Sequence, residues 1–496
     1  MYIMPGFITL ICLLYLPNIG FCGNLIQQTN ADTIKVSQYG AIGDGRTNDT
    51  RAILEALNYG IENNKTISFS PNKIYLIDSI MVNGKNSTEP VTKLSINGNN
   101  ATLKARRPGW GNIFGSNLID TVCIKQLKID GNMNGRANGN GLYILRSKFI
   151  SIKYCEVSHC KYSGILIAWS QYAEISNNKV HNNGDGTYPS DGIVIHSLER
   201  GIINNNSTYS INNQSSKFDG DGIHIADSKY NQGEYYNINA EGYIDVVNNI
   251  CFDNPRRGIK IQRSKIRVKN NFLYENLWGI QVAKNAQLSD ITIENNTIFN
   301  CQTGIGTDGA NQLRISKLQI LQNIFLGTFV KAKIQLADSN PNSVIIADNL
   351  ATESPTGSYS GDIIISKNSA KAVVSAAKSN TLKIINKNQA STQYKVENSE
   401  YNNLKRIAKG NYEVQTSDRV LSFTTNCQLS LGTALKMLGK DVVLYNGSTK
   451  PITINFNKPY NFLTNFESNS TIKSLILSPN RPIKIYYNKG YLNLFK

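Results

Sequence analysis

The chain has 496 residues, 40% of them hydrophobic, which is enough for two or three domains with buried cores. Its formal charge of +17 favours a polyanionic partner such as an acidic polysaccharide, although a Lys- and Asn-rich composition alone can produce the same charge. The lysines are scattered and form no basic block of the kind that nucleic-acid-binding arms show, so no nucleic acid partner is predicted.

The first 23 residues have the pattern of a secretory leader. Residues 7–16 form an apolar run that Pro17 ends, and Gly20 and Gly23 provide small residues for cleavage. The run is too short to span a bilayer, so no stable membrane insertion is expected. The sequence therefore predicts a signal peptide at 1–23 and a secreted protein, extracellular or periplasmic, although the residues before the run include no Lys or Arg.

A glycine-rich turn and an amphipathic helix follow the leader. Asn48 or Asp49 can cap this helix, and its apolar face is formed by Ala52, Ile53, Ala56 and Leu57. A helix of this kind would close the open apolar end of a solenoid.

A short phrase, Gly–aliphatic–any–aliphatic, recurs along the middle of the chain at intervals of 21–36 residues. The copies begin at Gly141, Gly164, Gly192, Gly222, Gly258 and Gly279, with a weaker copy at Gly304. This period predicts a solenoid, and the alternation within each phrase is that of a strand rather than a helix. Asn pairs between the copies suit tight turns. A parallel β-helix is therefore predicted, and the alternative is a β-sandwich with coincidental glycines.

The string from Tyr39 to Thr50, Tyr-Gly-Ala-x-Gly-Asp-Gly-x-Thr-Asn-Asp-Thr, resembles the N-terminal signature of the pectate-lyase-like, right-handed parallel β-helix superfamily. With the repeats, the resemblance covers about residues 34–365 and implies an all-β solenoid with an N-terminal capping helix. The superfamily includes polysaccharide lyases, polygalacturonase-like hydrolases, mannuronan epimerases and phage tailspike depolymerases. The resemblance therefore implies a polysaccharide partner but does not identify the reaction.

Beyond the repeats, residues 366–410 are rich in Ser, Lys and Asn and are predicted to form an irregular linker. Alternating patterns at 411–496 predict a small C-terminal β module. Its pattern loosely resembles modules of tailspike-like proteins that trimerise or bind glycan, and a plain stabilising cap is the favoured alternative. Either a monomer or a homotrimer is expected.

The register of the predicted strands indicates which side chains could form a catalytic or binding site. With each repeat glycine counted as zero, positions +1 and +3 point inward and positions +2 and +4 point outward. On this basis consecutive rungs place acids, bases, imidazoles and an aromatic ring on one face. The residues predicted to be catalytic are Asp191, Asp221, His224 and Lys260. Those predicted to bind substrate are His196, Arg257, Trp278 and Gln281.

Two cleavage reactions could use these residues. In β-elimination from a uronic acid, Arg257 and Lys260 would neutralise the carboxylate, and Lys260 or His224 would remove the adjacent proton. In hydrolysis, Asp191 and Asp221 would flank the glycosidic bond. The order of these residues loosely resembles polygalacturonase-like sites, but the paired adjacent aspartates and the Gly-His-Gly turn of those sites are missing.

The sequence therefore predicts a secreted protein that binds and cleaves an acidic, uronate-containing polysaccharide, and three other functions remain as alternatives. The layout from Leu127 onwards resembles mannuronan epimerases, but their Asp-Pro-His signature is absent near residues 167–169. A glycan-binding or exopolysaccharide-assembly protein without turnover, and a tailspike-like adhesin, are also compatible. Cleavage would be favoured if insertions at 184–189 and 227–241 walled a groove, with Trp278 and the Tyr235-Tyr236 pair as sugar-stacking rings.

Calcium is the cofactor that the sequence leaves open. Asp185, Asp219 and Asp221 supply the hard oxygen ligands that this ion prefers. The repeated calcium-binding nonapeptide does not occur, so calcium stays an open alternative and no residue is assigned as a metal ligand.

Overall fold

A computed structural model describes the chain over the following residues: 32–84, 92–212, 219–227, 242–283, 287–307, 314–315, 317–336, 344–347, 349–351, 363–365, 372–374, 384–386, 404–407, 411–414, 420–423, 425–431, 441–446, 448, 450–464, 468–479, 482–488 and 491–495. The predicted leader at 1–23 lies outside these residues.

Thirty-three described strands wind into a parallel solenoid with three sheets. Sheet I contains Ile80–Asn83, Phe114–Asn117, Leu142–Leu145, Ile223–Ala226, Arg257–Gln262, Trp278–Val282, Thr303–Thr307, Ala332–Leu336, Ile363–Ile365 and Ile384–Asn386. Sheet II contains Thr33–Lys35, Thr66–Ser68, Phe149–Lys153, Ile244–Val247, Ile266–Lys269, Ile291–Glu294, Leu318–Leu321, Val344–Ala347 and Ala372–Val374. Sheet III contains Asp44–Asn48, Ile74–Ile77, Glu156–Ser158, Lys179–His181, Ser207–Tyr209, Ile250–Phe252, Phe272–Tyr274, Thr297–Phe299, Ile324–Leu326 and Leu350–Ala351.

Four longer strands bend from one sheet into the next. Lys93–Ala105 and Thr121–Asp130 pass from sheet II to sheet III, and Ile165–Ser176 and Ile193–Asn204 pass from sheet I to sheet II. Each turn of the chain therefore runs through sheets I, II and III and then through a loop to the next rung. A separate short pair is formed by Gln287–Leu288 and Arg314–Ile315. The predicted parallel β-helix is confirmed, and the β-sandwich alternative is wrong.

The interior is a stack of aliphatic side chains. The +1 and +3 residues of the repeat, such as Ile193 and Ile195, Ile223 and Ile225, and Ile259 and Ile261, are all fully buried. A buried aliphatic side chain contributes about 1.5–3 kcal/mol relative to an exposed one, so the stack supplies the main driving force for folding. The outward residues between them are consequently held at fixed positions on the surface of sheet I.

The Asn pairs form the turns between sheets II and III and a buried ladder. The first Asn of several pairs, such as Asn177, Asn205 and Asn248, adopts a left-handed backbone, which asparagine tolerates better than most residues. The second Asn is buried, and its Nδ2 donates to Oδ1 of the equivalent Asn on the next rung. This ladder runs through Asn178, Asn206, Asn249, Asn271, Asn296, Asn323 and Asn349. The amide bonds fix the register from rung to rung.

Helix α1, Thr50–Glu62, lies at the N-terminal end and buries Ile53, Ala56, Leu57 and Gly60 against the first rungs. A short 3-10 helix at Val36–Tyr39 precedes it. Asp49 occupies the N-cap position, but its carboxylate accepts from the backbone of Ile42 and Gly43 instead of the helix. The capping helix was predicted correctly, whereas the role of Asp49 is to fix the preceding turn.

The strand pairings continue beyond the expected end of the solenoid at residue 365. Ala372–Val374 and Ile384–Asn386 pair as further parallel rungs within 366–410, the stretch expected to be irregular. Leu404–Ile407 already belongs to the C-terminal sheet, which therefore begins before the expected boundary at 411. Their aliphatic residues are short runs between polar stretches, which made these rungs hard to recognise in the sequence.

The C-terminal module is a nine-stranded sheet formed by Leu404–Ile407, Asn411–Glu413, Val420–Phe423, Cys427–Ser430, Asp441–Asn446, Ile452–Thr464, Ser468–Leu477, Ile483–Asn488 and Tyr491–Phe495. It packs on the solenoid through Val420, Val443 and Tyr445, which contact Phe299 and neighbouring residues of sheet III. Lys484, 1% exposed, donates to the carbonyl of Asn270 at 3.0 Å. Among the described residues, no helix has the length and apolar character needed to cross a membrane.

Candidate functional site

Strand pairing brings the predicted +2 residues into one row on sheet I. Val194 pairs with His224, His224 with Lys260, and Lys260 with Gln281. Neighbouring rungs lie about 4.8 Å apart, so the side chains of adjacent rungs can touch. Asp191 and Asp221 stand one residue before the repeat glycines on two adjacent rungs and reach the same place. The residues expected to act together are therefore close together. They form one cluster, which comprises Asp191, Asp219, Asp221, His224, Arg257, Lys260 and Gln262.

The first half of the cluster is an oriented imidazole. His224 Nδ1 lies 2.9 Å from Asp191 Oδ2, and because a carboxylate only accepts, Nδ1 carries the proton. The other oxygen of Asp191 accepts from the backbone N–H of Asp221 at 2.9 Å. On the opposite side of the ring, Nε2 lies 2.7 Å from Gln262 Oε1. One oxygen of Asp191 thus orients His224 and the other holds the backbone of Asp221, while Nε2 faces the half-buried side chain of Gln262.

The second half is a set of cations gathered on two carboxylates. Arg257 Nη1 donates to Asp219 Oδ1 at 2.9 Å and to Asp221 Oδ1 at 3.1 Å. Lys260 Nζ donates to Asp219 Oδ2 at 2.8 Å and lies 3.6 Å from Asp221 Oδ2. Arg256 adds a third positive charge 3.6 Å from Asp219. The Asp221 side chain is fully buried, whereas 29% of the Asp219 side chain is exposed.

These contacts raise the pKa of one carboxyl group of the cluster and lower the pKa of the other two. Burial, reinforced by the negative charge of Asp191, raises the pKa of Asp221 to about 6. Burial also disfavours ionisation of Asp219, but Lys260 and Arg257 outweigh it and hold the pKa of Asp219 well below its usual range. For Asp191, burial is outweighed by the hydrogen bond and charge of His224, so its pKa is lowered. Burial opposes the charge of Arg257, but Asp221 and Asp219 raise its pKa.

The cluster contains three groups that could in principle ligate a metal ion. One ligand atom each of Asp191, Asp221 and His224 lie within 4.8 Å of one another. However, the His224 nitrogen nearest Asp191 is protonated by that contact, and Arg257 and Lys260 bring two positive charges to Asp221. A cation would be repelled there, so the donor set does not suit calcium. Asp185, which the sequence offered as a calcium ligand together with Asp219 and Asp221, pairs instead with Lys161 on a neighbouring turn.

The remaining predicted residues surround this core. The ring of His196 lies 5.6 Å from that of His224, at an angle of 66°. Gln281 is 3% exposed and accepts a hydrogen bond from Arg257 Nε, which makes it a support for Arg257. Trp278 is half-buried, and its ring lies across Gly306, where an added Cβ would overlap it. Their predicted roles in substrate binding stay predictions.

Sequence reasoning did not assign Asp219 and Gln262 to the site. The spacing in the sequence could have identified them, because Asp219 is two residues before Asp221 and Gln262 is two residues after Lys260. Residues two apart in an extended strand share a face. The clustering of histidines in the sequence was less informative, because two of them lie away from the site. His181 is on sheet III beside Glu156, and His159, beside Asp130, directly follows a strand of that sheet. Of the two expected walls, Gly184–Pro189 lies in the turn before Asp191, and 228–241, with the Tyr235-Tyr236 pair, lies outside the described residues.

Comparison with known proteins agrees with this fold. A family model described as "Right handed beta helix region" matches residues 112–287. No curated protein matches the chain. The A-module of mannuronan C-5 epimerase AlgE6 from Azotobacter vinelandii is a similar solved structure, with 17% identity and a TM-score of 0.52, over 73% of this chain and 96% of its own. The AlgE4 A-module of the same organism has 16% identity and a TM-score of 0.50, over 74% of this chain and 97% of its own.

At this level of identity the two structures are informative about fold alone. With the family match and the strand pairing, they define the protein as a right-handed parallel β-helix. The expected resemblance to the pectate-lyase-like superfamily is therefore confirmed as a resemblance of fold.

Proposed function

We propose that this protein cleaves an acidic, uronate-containing polysaccharide by β-elimination, with His224 as the base. The observation that carries this proposal is an oriented imidazole, His224, on the rung next to a cationic site formed by Arg257 and Lys260. His224 is held by Asp191, and the Arg257 and Lys260 charges meet on the neighbouring rung. The structural similarity to two mannuronan C-5 epimerases, whose names refer to a uronate polymer, gives the acidic substrate further support.

The cationic site fits a carboxylate because it already holds one. Arg257 Nη1 and Lys260 Nζ each donate to one oxygen of Asp219, the most exposed carboxylate of the cluster. A uronate carboxylate has the same shape and charge, so it can take the place of Asp219 in those two bonds. Neutralising this group is what makes the proton on the adjacent ring carbon removable, since the developing negative charge is spread onto it.

His224 then acts as the base. Its Nε2 must be unprotonated with its lone pair facing C5, so the Gln262 amide that contacts Nε2 in the free protein has to give way to the substrate. Nε2 takes the proton from C5, the C–H electron pair forms the C4–C5 double bond, and the C4–O4 bond breaks with its electrons on oxygen. Solvent protonates the leaving oxygen. Asp191 stabilises the imidazolium that forms, and base catalysis by a positioned side chain contributes about 10²–10⁴-fold.

Hydrolysis is the second candidate, and the acidity of Asp221 favours it. A carboxyl group with a pKa of about 6 can protonate a glycosidic oxygen near neutral pH. Against this, the side chain of Asp221 is fully buried behind Arg257, and both oxygens of Asp191 are already engaged. Elimination requires neither carboxylate to reach the substrate, so it fits the geometry better.

The test is a screen of the purified protein on acidic polysaccharides, with ultraviolet absorbance of unsaturated ends and reducing ends measured together. We expect both signals, their loss in His224→Ala, and little change in the control His159→Ala, a histidine in the bend that follows the strand Glu156–Ser158. Reducing ends without absorbance would replace elimination by hydrolysis. Neither signal, but deuterium uptake at C5 in heavy water, would indicate epimerisation. Binding without any of these signals would leave a glycan-binding protein.

Secretion belongs to the same proposal, because an acidic polysaccharide would be encountered outside the cytoplasm. The predicted signal peptide is tested by N-terminal sequencing of the protein recovered from the medium or periplasm, where a mature end near residue 24 is expected. A monomer or a homotrimer stays the predicted state.

A further inference from the structure

A groove lies along the turns that connect sheet III to sheet I. It has a volume of about 460 Å³, within the range of small-ligand sites. Asp253 and Pro255 line the groove, and Pro255 directly precedes Arg256 and Arg257 in the chain. Leu277 also lines it and directly precedes Trp278. The groove and the cluster therefore share one edge of the solenoid, with the groove on the rungs that follow.

The charge along this edge changes sign between the cluster and the groove. At the cluster, three cations face Asp219. In the groove, the exposed side chains of Asp253 and Glu275 stand at equivalent places on consecutive turns, each directly after the paired strand residues Phe252 and Tyr274. Like charges repel, and none of the described residues that line the groove is a cation. A second uronate would therefore be disfavoured in the groove, next to a uronate bound at the cluster.

The rest of the lining suits a neutral ring with many hydroxyl groups. Asn300 and Gln302 contribute amides, although Asn300 Oδ1 already accepts from the backbone N–H of Thr328. Asp253 and Glu275 contribute carboxylates, and Asp253 Oδ2 already accepts from the hydroxyl of Ser210 at 2.7 Å. Carboxylate and amide oxygens have further lone pairs that can accept from sugar hydroxyl groups. Leu277 and Val330, the latter 63% exposed, offer apolar surface for the C–H face of a sugar. A few polar groups on an apolar wall are the usual composition of a small-ligand site.

We propose that the groove is a subsite for a neutral sugar unit, so that the substrate is a mixed polysaccharide in which the uronate is followed by a neutral residue. This inference rests on the proposed function in placing the uronate at the cluster. The rungs are about 4.8 Å apart, close to the length of one sugar unit, so a glycan lying along the edge would place successive units on successive turns.

Affinity electrophoresis tests this without requiring turnover, with the His224→Ala protein to prevent cleavage. Gels contain either polygalacturonate or alginate as homopolymers of uronate, or hyaluronan or gellan as mixed polymers. We expect stronger retardation by the mixed polymers. In the same background, Asp253→Asn with Glu275→Gln should tighten binding to the homopolymers about tenfold and leave the mixed polymers nearly unchanged. Glu294→Gln, a carboxylate on sheet II paired with Lys269 at 2.7 Å, is the matched control.

Two results would overturn the neutral subsite. One is homopolymer binding by the parent protein that equals or exceeds its binding to the mixed polymers. The other is an unchanged homopolymer affinity in the double variant. Failure of the cleavage reaction is a separate outcome, because it is measured with unaltered His224 by absorbance and reducing ends, whereas retardation depends on binding alone.

Discussion

Asp219→Asn is the substitution that most directly probes the cationic site, because it removes one negative charge and keeps the side-chain shape. Asp219 takes bonds of 2.8 and 2.9 Å from Lys260 and Arg257, both of which are more than nine-tenths buried. At these distances each charge pair has a Coulomb attraction of about 6 kcal/mol at an effective dielectric constant of 20. Most of this attraction offsets the cost of keeping the two cations out of water.

The net loss of stability should be smaller than for a fully buried pair. The Asp219 side chain is 29% exposed, and Asp221 still contacts both cations after the substitution. We therefore expect the free energy of unfolding to fall by about 1–2 kcal/mol, below the 3–5 kcal/mol of a broken buried pair. A uronate would no longer have to displace Asp219, so its binding should tighten by about 5- to 30-fold.

Denaturant unfolding and calorimetric titration with a uronate oligosaccharide measure the two effects. Asp185→Asn is the matched control, since Asp185 pairs with Lys161 on the preceding turn and has a similarly small exposure. It should leave uronate affinity unchanged. If Asp219→Asn binds the oligosaccharide no more tightly than the unaltered protein, Asp219 does not hold the place of a substrate carboxylate, and the reasoning about the cationic site is wrong.

Three further predictions concern the cluster and the turns. Asp191→Asn should lower the elimination rate by about 10²–10⁴-fold with an unchanged circular dichroism spectrum, because an amide whose oxygen accepts from the Asp221 N–H turns a donor instead of a carboxylate toward His224 Nδ1; unaltered kinetics would contradict the role of His224. Asp221 has a pKa of about 6 when folded and an ordinary value of 3.8, so the stability it contributes is complete below 3.8 and is lost as the pH rises through about 6. This loss, about 3 kcal/mol, should be absent from the pH profile of unfolding of Asp221→Asn, and identical profiles would refute it. Asn271→Ala removes the side chain that accepts from Asn249 and should cost about 2–4 kcal/mol in unfolding free energy, which a melting curve would test.

Sequence periodicity was sufficient to predict the solenoid and the direction of its side chains. The repeat glycines set the register, and the buried Ile223 and Ile225 with the outward row of His224 and Lys260 follow from strand alternation alone. The asparagine turns were also readable, because few residues other than Asn and Gly tolerate a left-handed backbone. What could be read was therefore local in the chain or repeated at a fixed position.

The partners of each functional group depended on the tertiary structure. Asp191 and His224 are 33 residues apart, and Asp219 and Lys260 are 41 residues apart, so only the stacking of rungs brings them within hydrogen-bond distance. Stacking also decided which groups are buried. Asp221 was expected to act on the substrate directly, but its carboxyl group is fully buried and has a raised pKa. Asp219 is the more exposed of the two acids.

The sequence by itself determined the architecture of this protein, because a repeated pattern of buried aliphatic residues specifies one register for every rung. Only the tertiary structure decided the chemistry of the cluster, because the ionisation of a carboxyl group depends on its burial and on charges brought to it from other rungs. A row of side chains can be read from one chain, whereas their hydrogen bonds and acidity arise from the packing of several turns against one another.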